Sequence, residues 1–133
     1  MTPEPAILSP AQARNALALI AEAEIGVRES GGNNCGARIR EYQRATWLTP
    51  DAWPWCAAFV DWVVAQWLKA PSVLATLNLP PEDVEKWRPR TAGAWDLVNW
   101  ARDKNLLVAG ENAVVHRGDI VVYDFSHVGI VVE

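Results

Sequence analysis

Cysteine and histidine are both scarce, with two of each among 133 residues, and neither type recurs at a short paired spacing. Two cysteines do not build a disulfide scaffold. Cys35, Cys56, His116 and His127 include no Cys-x-x-Cys or His-x-x-x-His pair, and no carboxylate loop of the EF-hand kind occurs, so neither a metal nor a cofactor is expected. Clustered lysine and arginine are also missing. With a net charge of −4, the chain is not expected to bind nucleic acid or an anionic membrane surface. No apolar run approaches the ~18 uninterrupted residues that cross a bilayer. Met1-Thr2-Pro3-Glu4-Pro5 has neither the basic nor the apolar part of a secretory signal. The expectation is therefore a product made in the cytoplasm, without membrane insertion. Internal repeats and low-complexity tracts are absent too.

What is present is a chain half of whose residues are apolar, long enough for one domain with a real core. Ser9-Pro10 starts a helix, with Ser as N-cap and Pro in the first turn, and the spacing predicts it over 10–25, stopped at Gly26. Glu29 to Gly36 is a glycine- and asparagine-rich loop. Asn34 is expected to cap a second helix running to about Thr46, with Ile39, Tyr42 and Gln43 inward. The third helix, Cys56 to Lys69, is apolar nearly all round, only Asp61, Gln66 and Lys69 being polar, which marks a buried central helix. Pro71 and the stretch from Leu79-Pro80-Pro81 to Pro89 read as a surface excursion with at most a short helix. Thr91 is expected to cap a fourth helix over 92–102, followed by a short strand at Leu106-Leu107-Val108. Ile120 to Tyr123 and His127 to Val132 are β-branched runs that pair as a hairpin across Asp124-Phe125-Ser126. The fold class that follows is α+β, with helices packed on a small antiparallel sheet.

Two segments carry chemistry: Pro54-Trp55-Cys56-Ala57-Ala58-Phe59-Val60, which opens the third helix, and Gly118 to Val132, which forms the hairpin. A cysteine at a helix N-terminus meets unpaired backbone N–H groups and the positive end of the helix dipole, which favour thiolate over thiol. A strand-borne imidazole within reach supplies the general base of a cysteine hydrolase. The pair resembles the CHAP superfamily, the cysteine, histidine-dependent amidohydrolases and peptidases of the papain-like, NlpC-like group that cut peptidoglycan. Glu29-Ser30-Gly31-Gly32-Asn33-Asn34-Cys35-Gly36, with Ile39 and Tyr42, resembles its phage and secretion-effector members. The resemblance spans roughly Ile20 to Val132. It implies a papain-like CHAP fold, residues 1–133 as a single catalytic domain, Cys56 as nucleophile and His127 as base. It also implies bacterial peptidoglycan as substrate in the periplasm or outside the cell. A chain without a leader then needs a delivery machinery, and an immunity protein is a further candidate partner.

Each residue also has a plainer reading. Cysteine often fills cores, and a strand histidine is usually ordinary; His116 reads as a solvated loop residue. In CHAP-like enzymes an Asp, Glu or Asn on the strand after the histidine strand orients the imidazole. This sequence ends at Glu133, before such a strand, and so reads as a form lacking its C-terminal strands. Glu133 shares the parity of His127 but lies ~20 Å along an extended strand, while Asp119 and Asp124 are nearer candidates. A Cys–His dyad, or a water in that role, stays open. By resemblance Glu29 and Asn34 lie beside the cleft as substrate-binding residues, against the alternative that they belong to a turn and a helix cap. Trp55 is expected to wall the cleft. Trp47 and Trp53 are placed to stack on a sugar face, and Trp62, Trp67, Trp95 and Trp100 are expected in the core. The alternative functions are a catalytically inactive CHAP-like wall-binding or interaction domain, and a structural protein in which Cys35 and Cys56 form a disulfide.

Overall fold

Ser9 and Gln12 exchange hydrogen bonds across the first turn of α1 (Pro10–Glu22): Gln12 N–H donates to Ser9 Oγ at 3.1 Å, and Ser9 N–H donates to Gln12 Oε1 at 2.9 Å. With Pro10 following, this capping box satisfies donors that a helix start leaves open. In the computed structural model, which describes residues 4–108, 113–123 and 127–133, α1 ends at Glu22. Turns then carry the chain to Gly26, whose φ is +101°. The remaining elements are α2 (Ala37–Gln43), α3 (Cys56–Trp67), α4 (Pro71–Leu77), a 3-10 turn (Pro81–Asp83), α5 (Val84–Trp87), α6 (Ala94–Asp103), β1 (Ile120–Tyr123) and β2 (His127–Ile130).

The architecture is a mostly helical α+β arrangement in which a two-stranded antiparallel sheet packs against α3 and α6. α3 is its axis, because it contacts α1, α2, α6 and β2. Ala57, Ala58, Val60 and Val63 are fully buried, and burial of each valine contributes about 2 kcal/mol. One core cluster joins α1, α3, α4, α6 and Val128 of β2, while a smaller one joins Ile39 and Tyr42 of α2 to Ala58. The hairpin register pairs Tyr123 with His127 and Ile120 with Ile130. Gly118 N–H to Val131 O and Val131 N–H to Asp119 O carry the pairing past the strand ends. The expected connection at 124–126 lies outside the described residues.

Several boundaries differ from the sequence expectation. Asn34 does not cap α2; it sits in the left-handed region at φ +59°, and Gly36 occupies the N-cap position. α2 stops at Gln43, since Ala45 and Thr46 turn back in tighter i→i−3 bonds to Tyr42 and Gln43. Pro71 starts a helix rather than breaking one, and the excursion after it returns Arg88 and Pro89 to the interior. Thr91 lies two residues ahead of the α6 N-cap, Gly93, where its hydroxyl donates to the Gly93 carbonyl. Leu106 to Val108 form no strand and are exposed. Trp95 is half exposed rather than core.

α1 and the hairpin meet through Arg117 and Gly118. The Arg117 guanidinium bonds to Glu22, to the Val132 carbonyl and to Asn15 Oδ1. Gly118, at φ +88°, lies so close that a Cβ would stand 2.0 Å from the Arg14 carbonyl oxygen. Only glycine fits there. This contact fixes where the hairpin lies and hence where His127 is held.

Candidate active site

α3 begins at Cys56 with no side chain capping it, so its first-turn N–H groups are left to face whatever occupies the space in front of them. The Trp55 carbonyl accepts the first intrahelical bond, from Phe59 N–H at 2.8 Å. The loop leading into Cys56 is stapled to α2 by the buried Gln43, whose Nε2 donates to the carbonyls of Asp51 at 2.7 Å and Trp53 at 3.1 Å. A side chain held at the start of a buried helix, behind a tethered loop, has little freedom to wander.

β2 packs on α3, and this contact brings the two sequence-predicted catalytic residues together. Cys56 and His127 both line one cavity of about 580 Å³, along with Trp55, Asn34, Tyr42 and Glu24. Cys56 is half-buried against the main core, whereas His127 is exposed at the strand start with its ring stacked on Tyr123, centroids 5.9 Å apart. The two side chains thus open onto the same space from a helix start and a strand start. Both cysteines are free thiols, which removes the disulfide alternative; Cys35 Sγ donates instead to the Asn33 carbonyl.

The predicted binding residues divide. Trp55 and Asn34 are in the cavity wall. Glu29 is not, but its Oε1 accepts from Trp55 Nε1 at 2.9 Å and so holds the wall tryptophan in place. Trp55 is further fixed by stacking on Tyr42, centroids 5.6 Å apart. Trp53 lies off the cavity: its indole N–H donates to the Thr49 carbonyl and its ring packs on the smaller core cluster. Trp47 faces a different pocket. Asp119 also lies off the cavity, its Oδ2 accepting from His116 N–H at 2.7 Å, and Glu133 is not in the wall either. Asp124 lies outside the described residues.

Two residues were not singled out for the site from the sequence. Glu24 lies in the cavity wall, where its Oε1 accepts from Arg38 Nε at 2.5 Å and Tyr42 Oη at 2.8 Å. The Arg38 hydrogen bond, aided by Tyr42, holds this carboxyl below its ordinary range, and burial together with Glu24 pushes the Tyr42 phenol up. The wall thus carries a carboxylate already paired with Arg38, among mostly apolar groups. Its only sequence trace is Arg38 and Tyr42 at i, i+4, a spacing that puts both on one face of α2. Asp61 is the second surprise. One of the few polar residues of α3, it is fully buried, and neither carboxylate oxygen has a hydrogen-bond partner among the described residues. Burial pushes its pKa up to about 9 against the opposing pull of Arg88, so it is a neutral acid at pH 7.

Among the described residues no helix is long and apolar enough to cross a membrane. Compared with protein-family models, curated proteins and solved structures, the chain matches none.

Proposed function

We propose that this chain is a cysteine amidohydrolase or peptidase of the CHAP type that cleaves an amide bond of bacterial peptidoglycan. The observation that carries the reading is the convergence of Cys56 and His127 on one cavity, from a helix start and a strand start. The substrate class rests on the resemblance of the Pro54-Trp55-Cys56 and Gly118–Val132 segments, with delivery to the wall by other machinery.

In this reading His127 takes the proton from the Cys56 thiol, and the thiolate attacks the carbonyl carbon of the scissile amide. The C–N bond breaks as the tetrahedral oxyanion collapses, and His127 gives its proton to the departing amine. Water, activated by the same imidazole, then attacks the thioester, releasing the carboxylate product and the free thiol. Backbone N–H groups in the uncapped first turn of α3 are the oxyanion donors. Trp55, held by Glu29 and Tyr42, forms a rigid wall against which a sugar or peptide packs.

A second reading is a catalytically inactive CHAP-like wall-binding or interaction domain. It is favoured by the engagement of Asp119 with His116 instead of the cavity. Acid-quenched mass spectrometry after incubation with soluble muropeptides separates the two. A thioester adduct on the Cys56 peptide, absent from the Cys35 peptide, supports catalysis. Retention on sacculi with no adduct and no cleavage supports the binding domain.

A further inference from the structure

A second pocket, of about 450 Å³, is lined by Trp47, Glu85, Lys86, Arg88, Arg90 and Trp100, among others. Lys86, Arg88 and Arg90 face a single carboxylate there, in a chain whose net charge is −4. Arg88 is buried and fixed: its Nη1 donates to the carbonyls of Ala45 at 2.7 Å and Pro89 at 3.2 Å. Arg90 is fixed as well, with Cζ 3.9 Å from the centre of the Trp47 indole and its carbonyl accepting from Trp47 N–H. Trp100 is anchored by donating its indole N–H to the Trp87 carbonyl at 2.7 Å. A pair of immobilised guanidinium groups beside an indole that is 72 % exposed is a built site, because little side-chain freedom is lost on binding.

The two guanidinium groups converge on one oxygen. Glu85 Oε2 is 3.1 Å from Arg88 Nε and 3.7 Å from Arg90 Nη1, although the Glu85 side chain is 66 % exposed and sits on the one-turn helix α5. The position already accepts a carboxylate, and the carboxylate present is a largely exposed one. Arg90 Nε is buried with no hydrogen-bond partner among the described residues, so donor capacity is left over. The neutral state of Asp61 leaves the charge of Arg88 uncompensated from the core side.

We propose that this pocket binds a small carboxylate-bearing ligand, its carboxylate on the Arg88–Arg90 pair and its remainder against the exposed part of the Trp47 indole, and that Glu85 occupies the carboxylate position in its absence. The carboxylate can come from a sugar acid or from a peptide C-terminus; Lys86 adds charge at the rim, and the exposed indole takes the apolar part of either. Cys56 has no part in this pocket.

The test follows the Trp47 indole N–H by NMR, its signal identified with Trp47→Phe. The probes are N-acetylmuramic acid and alanyl-alanine, with N-acetylglucosamine and alanyl-alanine amide as counterparts without the carboxylate. A saturable shift with either acid, at least fivefold weaker with its counterpart, is expected, and the acid that binds identifies the source. Glu85→Gln should tighten binding severalfold by removing the internal competitor, and Lys86→Gln should weaken it severalfold. Both positions are exposed, so neither variant threatens the fold. Equal shifts with acid and counterpart, no saturable shift with either acid, tighter binding of inorganic phosphate, or unchanged or weaker affinity in Glu85→Gln would each overturn the proposal.

Discussion

Asp61→Asn should stabilise the protein increasingly as the pH rises. The carboxyl is fully buried without a hydrogen-bond partner among the described residues, and its pKa is pushed from 3.8 to about 9. Because the folded value lies above the unfolded one, folding takes up a proton across that window. The sign follows directly. Between pH 3.8 and about 9 the unfolded chain is ionised at this site and the folded chain is not, so wild-type stability falls as the pH rises. The slope is about 1.4 kcal/mol per pH unit. At pH 7 the accumulated cost is about 4 kcal/mol, a large share of the ~5–15 kcal/mol that holds a domain together. Asparagine keeps the shape and carries no proton to take up. Urea unfolding of both proteins at pH 5, 6, 7 and 8 measures the effect. The stability difference should move in favour of the variant by about 1.4 kcal/mol per unit, whatever fixed offset the amide brings through its own contacts. A difference that stays constant with pH would refute the reasoning. Such a constant difference is what a folded Asp61 ionised throughout this range by pairing with Arg88 would give.

Gly118→Ala should cost about 3 kcal/mol or more in denaturant unfolding, since the added Cβ meets the Arg14 carbonyl at 2.0 Å and φ is +88°; a loss within 0.5 kcal/mol would show that the contact between α1 and the hairpin yields easily. Glu24→Gln should lose about 2 kcal/mol by removing a charged acceptor shared by Arg38 and Tyr42. Since that carboxyl is depressed, its contribution is present above the ordinary value of 4.5 and lost as the pH falls below it, so the gap between variant and wild type should close on acidification. A gap that widens in acid would reverse the assignment. Glu29→Gln leaves Trp55 with a weaker acceptor and should raise KM severalfold on muropeptides with stability within about 0.5 kcal/mol; an unchanged KM would remove Trp55 from substrate binding.

How far the sequence alone reached depends on whether the signal was local. The Ser9-Pro10 start of α1, the cysteine opening α3 and the paired β-branched runs of the hairpin are short-range patterns, and the structure carries each of them. Asn34, Thr91 and the 106–108 run misled because capping and strand pairing depend on partners that the local pattern does not reveal. Glycines took the cap positions at both helices, and Leu106 to Val108 have no ladder partner among the described residues. The burial of Asp61 was not legible for a different reason. A polar residue on an apolar helix looks like the solvent side unless the chain later covers it, and the Arg88-Pro89 segment that returns to the interior is 27 residues away in sequence. The Cys56–His127 cavity could be anticipated, because each partner starts a recognisable element. Its Glu24 carboxylate could not, since Glu24 follows α1 while its partners Arg38 and Tyr42 lie on α2, 14 and 18 residues on. The departure of Trp53 and Trp47 from the cavity was equally invisible, because loop tryptophans next to a nucleophile point wherever the loop is stapled.

The most direct test of the central claim is release of new amines from purified peptidoglycan by the wild-type chain, Cys56→Ala and His127→Ala, measured side by side. Steady amine release by the wild type, with at least a hundredfold loss in each variant and folding intact by circular dichroism, is the predicted result. Undiminished release by Cys56→Ala would contradict the thiol mechanism, and no release by the wild type would contradict the assignment of a wall-cleaving enzyme.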